Sequence, residues 1–191
     1  MELEELTRPE AVQAAPERPG QPPVSLFRWF RDLLGAVVIA AFIIVFLYQP
    51  VKVEGTSMMP VLADQERVFI NKFIYRFEPI QRGDIVVFAY PGDTSKSFVK
   101  RVIGVAGDRV RIDSGVVFVN GRELDEPYVP AKYFDWRSYP EELVLGHHLF
   151  VLGDHRSVSN DSRDFGLVGE GFVTGKAVFV YWPLDKLGKL H

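Results

Sequence analysis

The longest apolar run of the chain sets the first limit on its fold. From Leu33 to Tyr48, 16 consecutive residues carry no charge, and apolar side chains would face every side of a helix formed by this run. At about 1.5 Å per residue it is roughly 24 Å long, somewhat shorter than a bilayer core of about 30 Å. Trp29, Phe30 and Tyr48 extend it with aromatic side chains suited to the two membrane interfaces. The sequence therefore predicts one transmembrane anchor helix over residues 26–49.

Two alternatives to an uncleaved anchor fit the flanking sequence less well. A buried core helix is disfavoured because the run lies between a Pro-rich tail and Pro50. A cleavable signal peptide is disfavoured because no A-x-A-like site follows the apolar segment. Residues 1–25, rich in Glu, Pro, Ala and Gln, predict a disordered acidic tail. Arginines are in excess before the run, which predicts a single-pass membrane protein with a cytoplasmic N-terminus and an extracytoplasmic body.

The body of the chain, residues 50–191, has the pattern of a β-rich domain. Asn120-Gly121 predicts a type I′ hairpin turn, and residues 125–148 predict a short irregular excursion from the sheet. The predicted fold class is thus mainly β, an extracytoplasmic antiparallel domain with one N-terminal transmembrane helix. Six segments rich in Val, Ile and Phe predict its strands: 67–75, 83–90, 97–105, 108–113, 115–124 and 174–184.

The composition of the chain excludes several classes of function. Its net charge of −3 and its lack of a dense Lys/Arg tract argue against a nucleic-acid partner. The chain has no cysteine, which excludes thiol nucleophiles, disulfides and cysteine-ligated zinc. No H-E-x-x-H or similar spacing is present. The sequence therefore predicts neither a metal nor any other cofactor.

A serine and a lysine are the candidate reactive residues. Ser57 follows Gly55, which admits unusual backbone conformations, and precedes Pro60, so its turn is locally constrained. Strand alternation in 97–105 places Lys100 and Arg101 on opposite, mainly apolar faces. Burial would lower the pKa of the Lys100 ammonium and make it a competent base for a hydroxyl. A turn-capping serine and a surface lysine are the commoner roles for such residues taken singly.

The polar loop "GDHRSVSNDSRDFG", residues 153–166, directly follows the apolar "HLFVL". Its aspartates, serines and arginines can form ion pairs and hydrogen bonds that hold a site in place. A Ser-His-Asp triad that uses His147, His148 or His155 is an alternative. It is disfavoured because no G-x-S-x-G nucleophile elbow occurs in the chain.

The chain resembles the bacterial type I signal peptidases, or leader peptidases, which are serine enzymes with a lysine base. The resemblance extends from the apolar run to the C-terminus. It rests on four motifs in order: "SMMP" at 57–60, "RGDIVVFAYP" at 82–91, "KRVIGVAGD" at 100–108 and "GDHRSVSNDSRDFG" at 153–166.

This resemblance implies a role for each candidate residue. Ser57 would be the nucleophile, with its backbone N–H in the oxyanion hole, and Lys100 the general base. Ser159 would hydrogen-bond and orient the lysine. The other four candidate residues would form two ion pairs that support the site: Asp161 with Arg163, and Asp154 with Arg101.

Two positions depart from the commonest pattern of the resemblance. Gly55 stands where many relatives carry a serine that helps to hold the oxyanion, which leaves the second oxyanion donor open. His155 stands where asparagine is most frequent, and we interpret it as a residue that braces the loop. The two departures leave the proposed roles of Ser57 and Lys100 in place.

The implied substrates are secreted preproteins, cut after small residues at the first and third positions before the bond, and membrane lipid is a further implied partner. Two other functions remain open from the residues. A self-cleaving repressor of the LexA type would share the serine–lysine chemistry but would need a DNA-binding head. A non-enzymatic, membrane-tethered β-domain would tolerate replacement of Ser57 or Lys100.

Overall fold

A computed structural model of the chain describes residues 26–190, and over residues 43–47 it describes the backbone alone. The predicted acidic tail, residues 1–25, lies outside the described residues. The described residues divide into two compact units, residues 26–38 and 39–190. Helix α1, Leu26–Leu47, begins in the first unit and ends in the second. Within residues 26–190 no helix combines the length and the hydropathy needed to cross a membrane.

The helix ends two residues earlier than the predicted anchor. Tyr48 and Gln49 already belong to strand β1, where they pair with Asn71 and Ile70 of the next strand. Sheet hydrogen bonding thus takes over the backbone groups that a longer helix would have used.

Twelve strands and one short α-helix, besides four 3₁₀ turns, follow α1 in the described part of the chain. In chain order they are β1 Tyr48–Lys52, β2 Arg67–Asn71, β3 Ile85–Tyr90, β4 Asp93–Gly104, β5 Arg109–Asp113, β6 Val116–Val119, β7 Arg122–Glu123, β8 Tyr139–Leu143, β9 His148–Leu152, α2 Ser162–Phe165, β10 Val168–Gly169, β11 Val173–Trp182 and β12 Gly188–Lys189. The larger sheet has the order β1-β2-β11-β3-β4-β9-β10, with β12 on β11, and the smaller has the order β7-β6-β5-β8. Every pairing is antiparallel. The prediction of a mainly antiparallel β fold is confirmed.

Two segments differ from the sequence prediction. The strand predicted over 67–75 stops at Asn71, because the Asn71 side chain accepts hydrogen bonds from the N–H groups of Phe73 and Ile74 and turns the chain. The predicted irregular excursion, 125–148, contains strand β8. Its sequence, "YPEEL", is polar and lies at the edge of the smaller sheet, so it lacks the apolar pattern that marks a buried strand.

The turn predicted at Asn120-Gly121 joins β6 to β7. Both residues have positive φ, 53° and 75°, which is the requirement of a type I′ turn. The short strand β7 pairs back on β6 through Arg122 and Glu123.

The pairing of β4 determines where a site can form. On one side of β4, strand β3 pairs with residues between Asp93 and Arg101. On the other side, β9 pairs with β4 only from Arg101 to Gly104. The chain that leaves β9, residues 153–161, therefore passes beside Lys100 instead of pairing with it. One backbone edge of residues 97–99 therefore makes no strand-pairing hydrogen bonds in the described sheet.

Candidate active site

Ser57 lies on a tight turn between β1 and β2. Gly55 has a φ of +97° and donates its N–H to Asp64 Oδ1 at 2.8 Å, a backbone conformation that side chains other than glycine rarely adopt. After the serine, Leu62 N–H donates to Met58 O at 2.8 Å, and both of these side chains are fully buried in the core. The turn is thus fixed on both sides of Ser57.

Lys100 reaches Ser57 from the middle of β4. Its Nζ lies 2.6 Å from Ser57 Oγ, which is hydrogen-bonding distance. The residue is only 4% exposed, and its Nζ lies 5.4 Å from the centroid of the Phe98 ring. The structure therefore brings together the two candidate reactive groups, 43 residues apart in sequence.

The surroundings of Lys100 lower its pKa. Burial lowers the pKa of Lys100 from its ordinary value near 10.5 to about 8. The negative charges of Asp161 and Asp154 oppose this change, and the positive charge of Arg163 adds to it. An amine with a pKa of about 8 is neutral in a substantial fraction of molecules at mildly alkaline pH, as a general base requires.

The predicted pair of Asp154 and Arg101 forms on the opposite face of β4. Arg101 Nε and Nη2 donate to the two carboxylate oxygens of Asp154 at 2.9 and 2.8 Å, and both side chains are buried. Arg101 also donates to Gly83 O at 3.0 Å and lies over the Tyr128 ring. This pair attaches the start of the 153–161 chain to the sheet behind Lys100.

The predicted pair of Asp161 and Arg163 also forms. Arg163 Nε and Nη2 each donate to an Asp161 oxygen at 2.8 Å, and Asp161 accepts the Gly153 N–H at 3.0 Å. Burial raises the pKa of Asp161, but the hydrogen bonds and charge of Arg163, with the Gly153 N–H, outweigh it and hold this pKa below its usual value. Asp161 also forms a capping box at the start of α2 with Asp164.

Ser159 differs from the role implied by the resemblance. Its hydroxyl is buried and makes no hydrogen bond within the described residues, so the expected bond to Lys100 is absent there. The hydroxyl lies near enough to the Asp161 carboxylate to lower its pKa, without meeting the geometry of a hydrogen bond. It is turned instead against Gly153, since a Cβ at that glycine would come within 2.2 Å of Ser159 Oγ.

None of the three histidines that could serve a triad contacts the Ser57 hydroxyl in the described structure. His155 Nδ1 lies 3.1 Å from Thr56 O, and its backbone N–H donates to Ser57 O at 3.0 Å. His147 and His148 lie near Glu170 and Gly146 O, respectively. His155 therefore braces the turn that carries the serine.

A cleft of about 380 Å³ opens over Ser57 and Lys100. Residues 51–58 form one side and residues 97–100 the other, and the cleft is also lined by Val87, Val158 and Asn160. Half of these side chains are apolar. The Ser57 N–H has no acceptor within residues 26–190, so it remains available to bind an oxyanion. Two larger cavities contain neither Ser57 nor Lys100, and we therefore place the candidate site in this cleft.

Sequence reasoning missed two residues that support the loop beside the site. Arg156 is 2% exposed and donates from Nε to Gly153 O at 3.0 Å, and Glu126 pairs with its guanidinium. The many charged residues at 153–166 already indicated that Arg156 could take part in holding the site. No local pattern identifies Glu126, because it is 30 residues away in sequence.

Comparisons with known proteins identify the family of the chain. Residues 26–182 match the family described as "Signal peptidase, peptidase S26". The chain belongs to the signal peptidase family. It is 36% identical over 176 residues to a signal peptidase I of Bacillus licheniformis, covering 86% of this chain and 93% of that protein. It is 36% identical over 178 residues to a signal peptidase IB of Staphylococcus aureus, covering 84% and 92%.

A solved structure is also similar to the chain. It is a signal peptidase I from Enterococcus faecalis V583, with 30% sequence identity and a TM-score of 0.46, covering 52% of this chain and 97% of that one. Membership of the signal peptidase family makes the chain a peptidase, and so a hydrolase.

Proposed function

We propose that this chain is a membrane-bound serine endopeptidase that removes N-terminal signal peptides from secreted preproteins, with Ser57 as nucleophile and Lys100 as general base. One observation carries the proposal: Lys100 Nζ lies 2.6 Å from Ser57 Oγ, and Lys100 is only 4% exposed. The relatives named signal peptidase I and IB support the same substrate class.

The proposed reaction begins with acylation of Ser57. The neutral Lys100 amine accepts the hydroxyl proton while Oγ attacks the carbonyl carbon before the scissile bond. The negative charge that develops on the carbonyl oxygen is stabilised by the Ser57 N–H. The Lys100 ammonium then returns the proton to the leaving amine, and the mature protein departs. Water, activated by the same amine, hydrolyses the acyl-enzyme and restores Ser57.

The buried ion pairs have a positioning role in this proposal. Asp161 with Arg163, and Asp154 with Arg101, fix the 153–161 chain beside Lys100. We expect Ser159 to support the same loop, because its buried side chain packs on Gly153.

The cleft suits an extended peptide with small side chains. The free backbone edge of residues 97–99 can pair with a substrate strand, as in β-strand addition. Met58, Phe98 and Val99 are among the residues that line the cleft, and we propose that these apolar side chains favour small residues at the first and third positions before the bond. The proposed substrates are therefore the c-regions of signal peptides.

The proposed location is the plasma membrane, with the N-terminus in the cytoplasm and the catalytic domain outside. It is supported by the apolar sequence of α1 and by the arginines that precede it. Contact of the domain with membrane lipid is part of the same proposal.

Mapping of the cleaved bond tests the proposed substrate class. Purified protein in detergent is incubated with a preprotein, and the products are weighed by mass spectrometry. We expect one cut, directly after the small residue that ends the signal peptide. A bulky residue in place of that small residue should abolish the cut, while the same change at the second position before the bond, the matched control, should preserve it. Cleavage at many sites, or no cleavage of the unaltered and the control preprotein, would contradict the proposal.

The pH dependence of kcat/KM tests the proposed base. With a Lys100 pKa of about 8, the ammonium form predominates below this pH and cannot accept the Ser57 proton. We expect kcat/KM to rise about tenfold per pH unit up to about pH 8 and to level off above it, so that the value at pH 6 is about one-hundredth of the plateau. A flat profile between pH 6 and 9 would exclude Lys100 as the titrating base.

A further inference from the structure

Residues 125–137, which we call the strap, pack against the loop of residues 153–164. The strap contributes Glu126 to Arg156 and Asp135 to Arg163. Ser157 N–H donates to Tyr133 O. The rings of Tyr133 and His155 are in contact, with their centroids 4.4 Å apart. The first part of the segment predicted to be an irregular excursion is therefore bound to the loop that carries the supporting residues of the site.

Glu126 is held in one orientation by two neighbours. Its carboxylate oxygens accept from Arg156 Nη1 at 2.9 Å and Nη2 at 2.5 Å, a two-point contact that fixes the plane of the guanidinium. The Tyr128 hydroxyl donates to Glu126 Oε1 at 2.8 Å. The arginine side chain is 3% exposed and the glutamate side chain 12%, so water competes little for either group.

Arg156 transmits this orientation to the backbone at Gly153. Its Nε donates to Gly153 O at 3.0 Å while its two Nη atoms are held by Glu126. The Gly153 N–H is held from the other side by Asp161 at 3.0 Å. Both peptide groups flanking this residue are therefore fixed by charged side chains.

Gly153 lies directly against the nucleophile. A Cβ at this position would come within 2.5 Å of Ser57 O, so the glycine backbone and the Ser57 carbonyl are in close contact. Ser57 O also accepts the N–H of His155, two residues further on, at 3.0 Å. Movement of the chain at 153–155 would therefore shift Ser57 relative to Lys100.

Arg156 depends on Glu126 more than Arg163 depends on Asp135, the other carboxylate that the strap contributes. In the described part of the protein, Glu126 is the one carboxylate that hydrogen-bonds Arg156. Arg163 is bound by Asp161 as well as by Asp135. Loss of the Glu126 charge would leave a buried guanidinium without its hydrogen-bonded counterion, a costly arrangement that favours its movement away from Gly153.

We propose that Glu126 is a positioning residue, which through Arg156 and the Gly153 carbonyl holds Ser57 within reach of Lys100. This inference rests on the proposed function and adds a segment distant from the dyad to it. The strap then serves catalysis while contacting neither reacting group.

The test compares Glu126→Gln with the wild-type chain in preprotein cleavage. We expect kcat to fall about 10- to 100-fold, as for a displacement of reacting atoms by about 1 Å, with KM within about twofold because the cleft is unchanged. Glu141→Gln is the matched control, since Glu141 is exposed and pairs with Arg109 on the smaller sheet, and it should keep both constants. An unchanged kcat with a lower thermal midpoint would mean that Glu126 serves stability alone and would overturn the proposal.

A second variant separates positioning from general loss of structure. Arg156→Lys keeps the charge but lacks the planar guanidinium that donates to Glu126 and to Gly153 O at the same time. It should therefore lower kcat by a similar factor. The double variant Glu126→Gln/Arg156→Lys should then be no worse than either single variant, because both changes break the same connection. Losses in kcat that multiply would show that the two residues act independently and would overturn the proposal.

Hydrogen–deuterium exchange supplies a readout that does not depend on the substrate. In Glu126→Gln, and not in Glu141→Gln, we expect faster exchange in the peptides that contain Ser57 and Gly153. Unchanged exchange there would contradict the positioning role even if cleavage fell. A wild-type chain that cleaves no preprotein would defeat the proposed function, while the exchange measurement would still decide the role of Glu126.

Discussion

Replacement of Ser57 by alanine is expected to lower preprotein cleavage by about 10⁴-fold or more, the size of loss found when a serine nucleophile is removed. The physical reason is that no other hydroxyl is in contact with Lys100 Nζ in the described structure, where the one hydrogen bond of this amine is to Ser57 Oγ. Cleavage is measured as initial rates on a preprotein, with the thermal midpoint recorded in parallel.

The fold should survive this replacement. Gly55 and Met58 fix the turn through the backbone and the core, so the loss of one hydroxyl removes no packing. Ser157→Ala is the matched control, because Ser157 is an exposed serine in the neighbouring loop and should keep the wild-type rate. A Ser57→Ala protein that retains turnover would end the nucleophile assignment and favour a non-enzymatic or differently catalysed function.

Strand alternation accounts for how much of the site was predictable from sequence. Lys100 and Arg101 are neighbours in β4, so an extended backbone must direct them to opposite faces of the sheet. The structure places the first against Ser57 and the second against Asp154. Neither the fold nor a homologous template was needed to assign the two cations to different sides.

Contacts set by tertiary packing were beyond the same reasoning. The direction of the Ser159 hydroxyl depends on its closeness to Gly153, which no periodicity encodes. The pairing of Glu126 with Arg156 depends on how residues 125–137 lie across a loop 30 residues later. Strand β8 escaped prediction for a related reason: an edge strand with polar side chains forms because β5 offers it hydrogen bonds, not because of its own pattern.

A common physical requirement links the fold to the proposed chemistry. A lysine can act as a base near neutral pH only if its surroundings disfavour the ammonium form, yet nearby carboxylates favour that form. In this chain burial outweighs the charges of Asp161 and Asp154 in setting the Lys100 pKa. Those carboxylates are themselves paired with Arg163 and Arg101, which limits their effect on the amine. The ion pairs therefore position the loop without returning the Lys100 pKa to its ordinary value.

Replacement of Lys100 by arginine should be nearly as damaging as loss of the serine, with kcat/KM lower by about 10³- to 10⁴-fold. Positive charge, hydrogen-bond donors and a long apolar stem are all retained by this change. What is lost is the ability to become neutral, since a guanidinium stays protonated at every pH at which the protein is folded. The change therefore isolates proton transfer from simple electrostatic attraction.

Lys96→Arg is the matched control for this variant, because Lys96 lies in the same strand but is 67% exposed and pairs with Asp93. Its cleavage rate should equal that of the wild type. For Lys100→Arg, raising the pH from 7 to 10 should give no recovery, whereas the wild-type rate should climb to its plateau. An active arginine variant, or one that regains activity as the pH rises, would show that position 100 supplies charge and not a base, and the mechanism would need another proton acceptor.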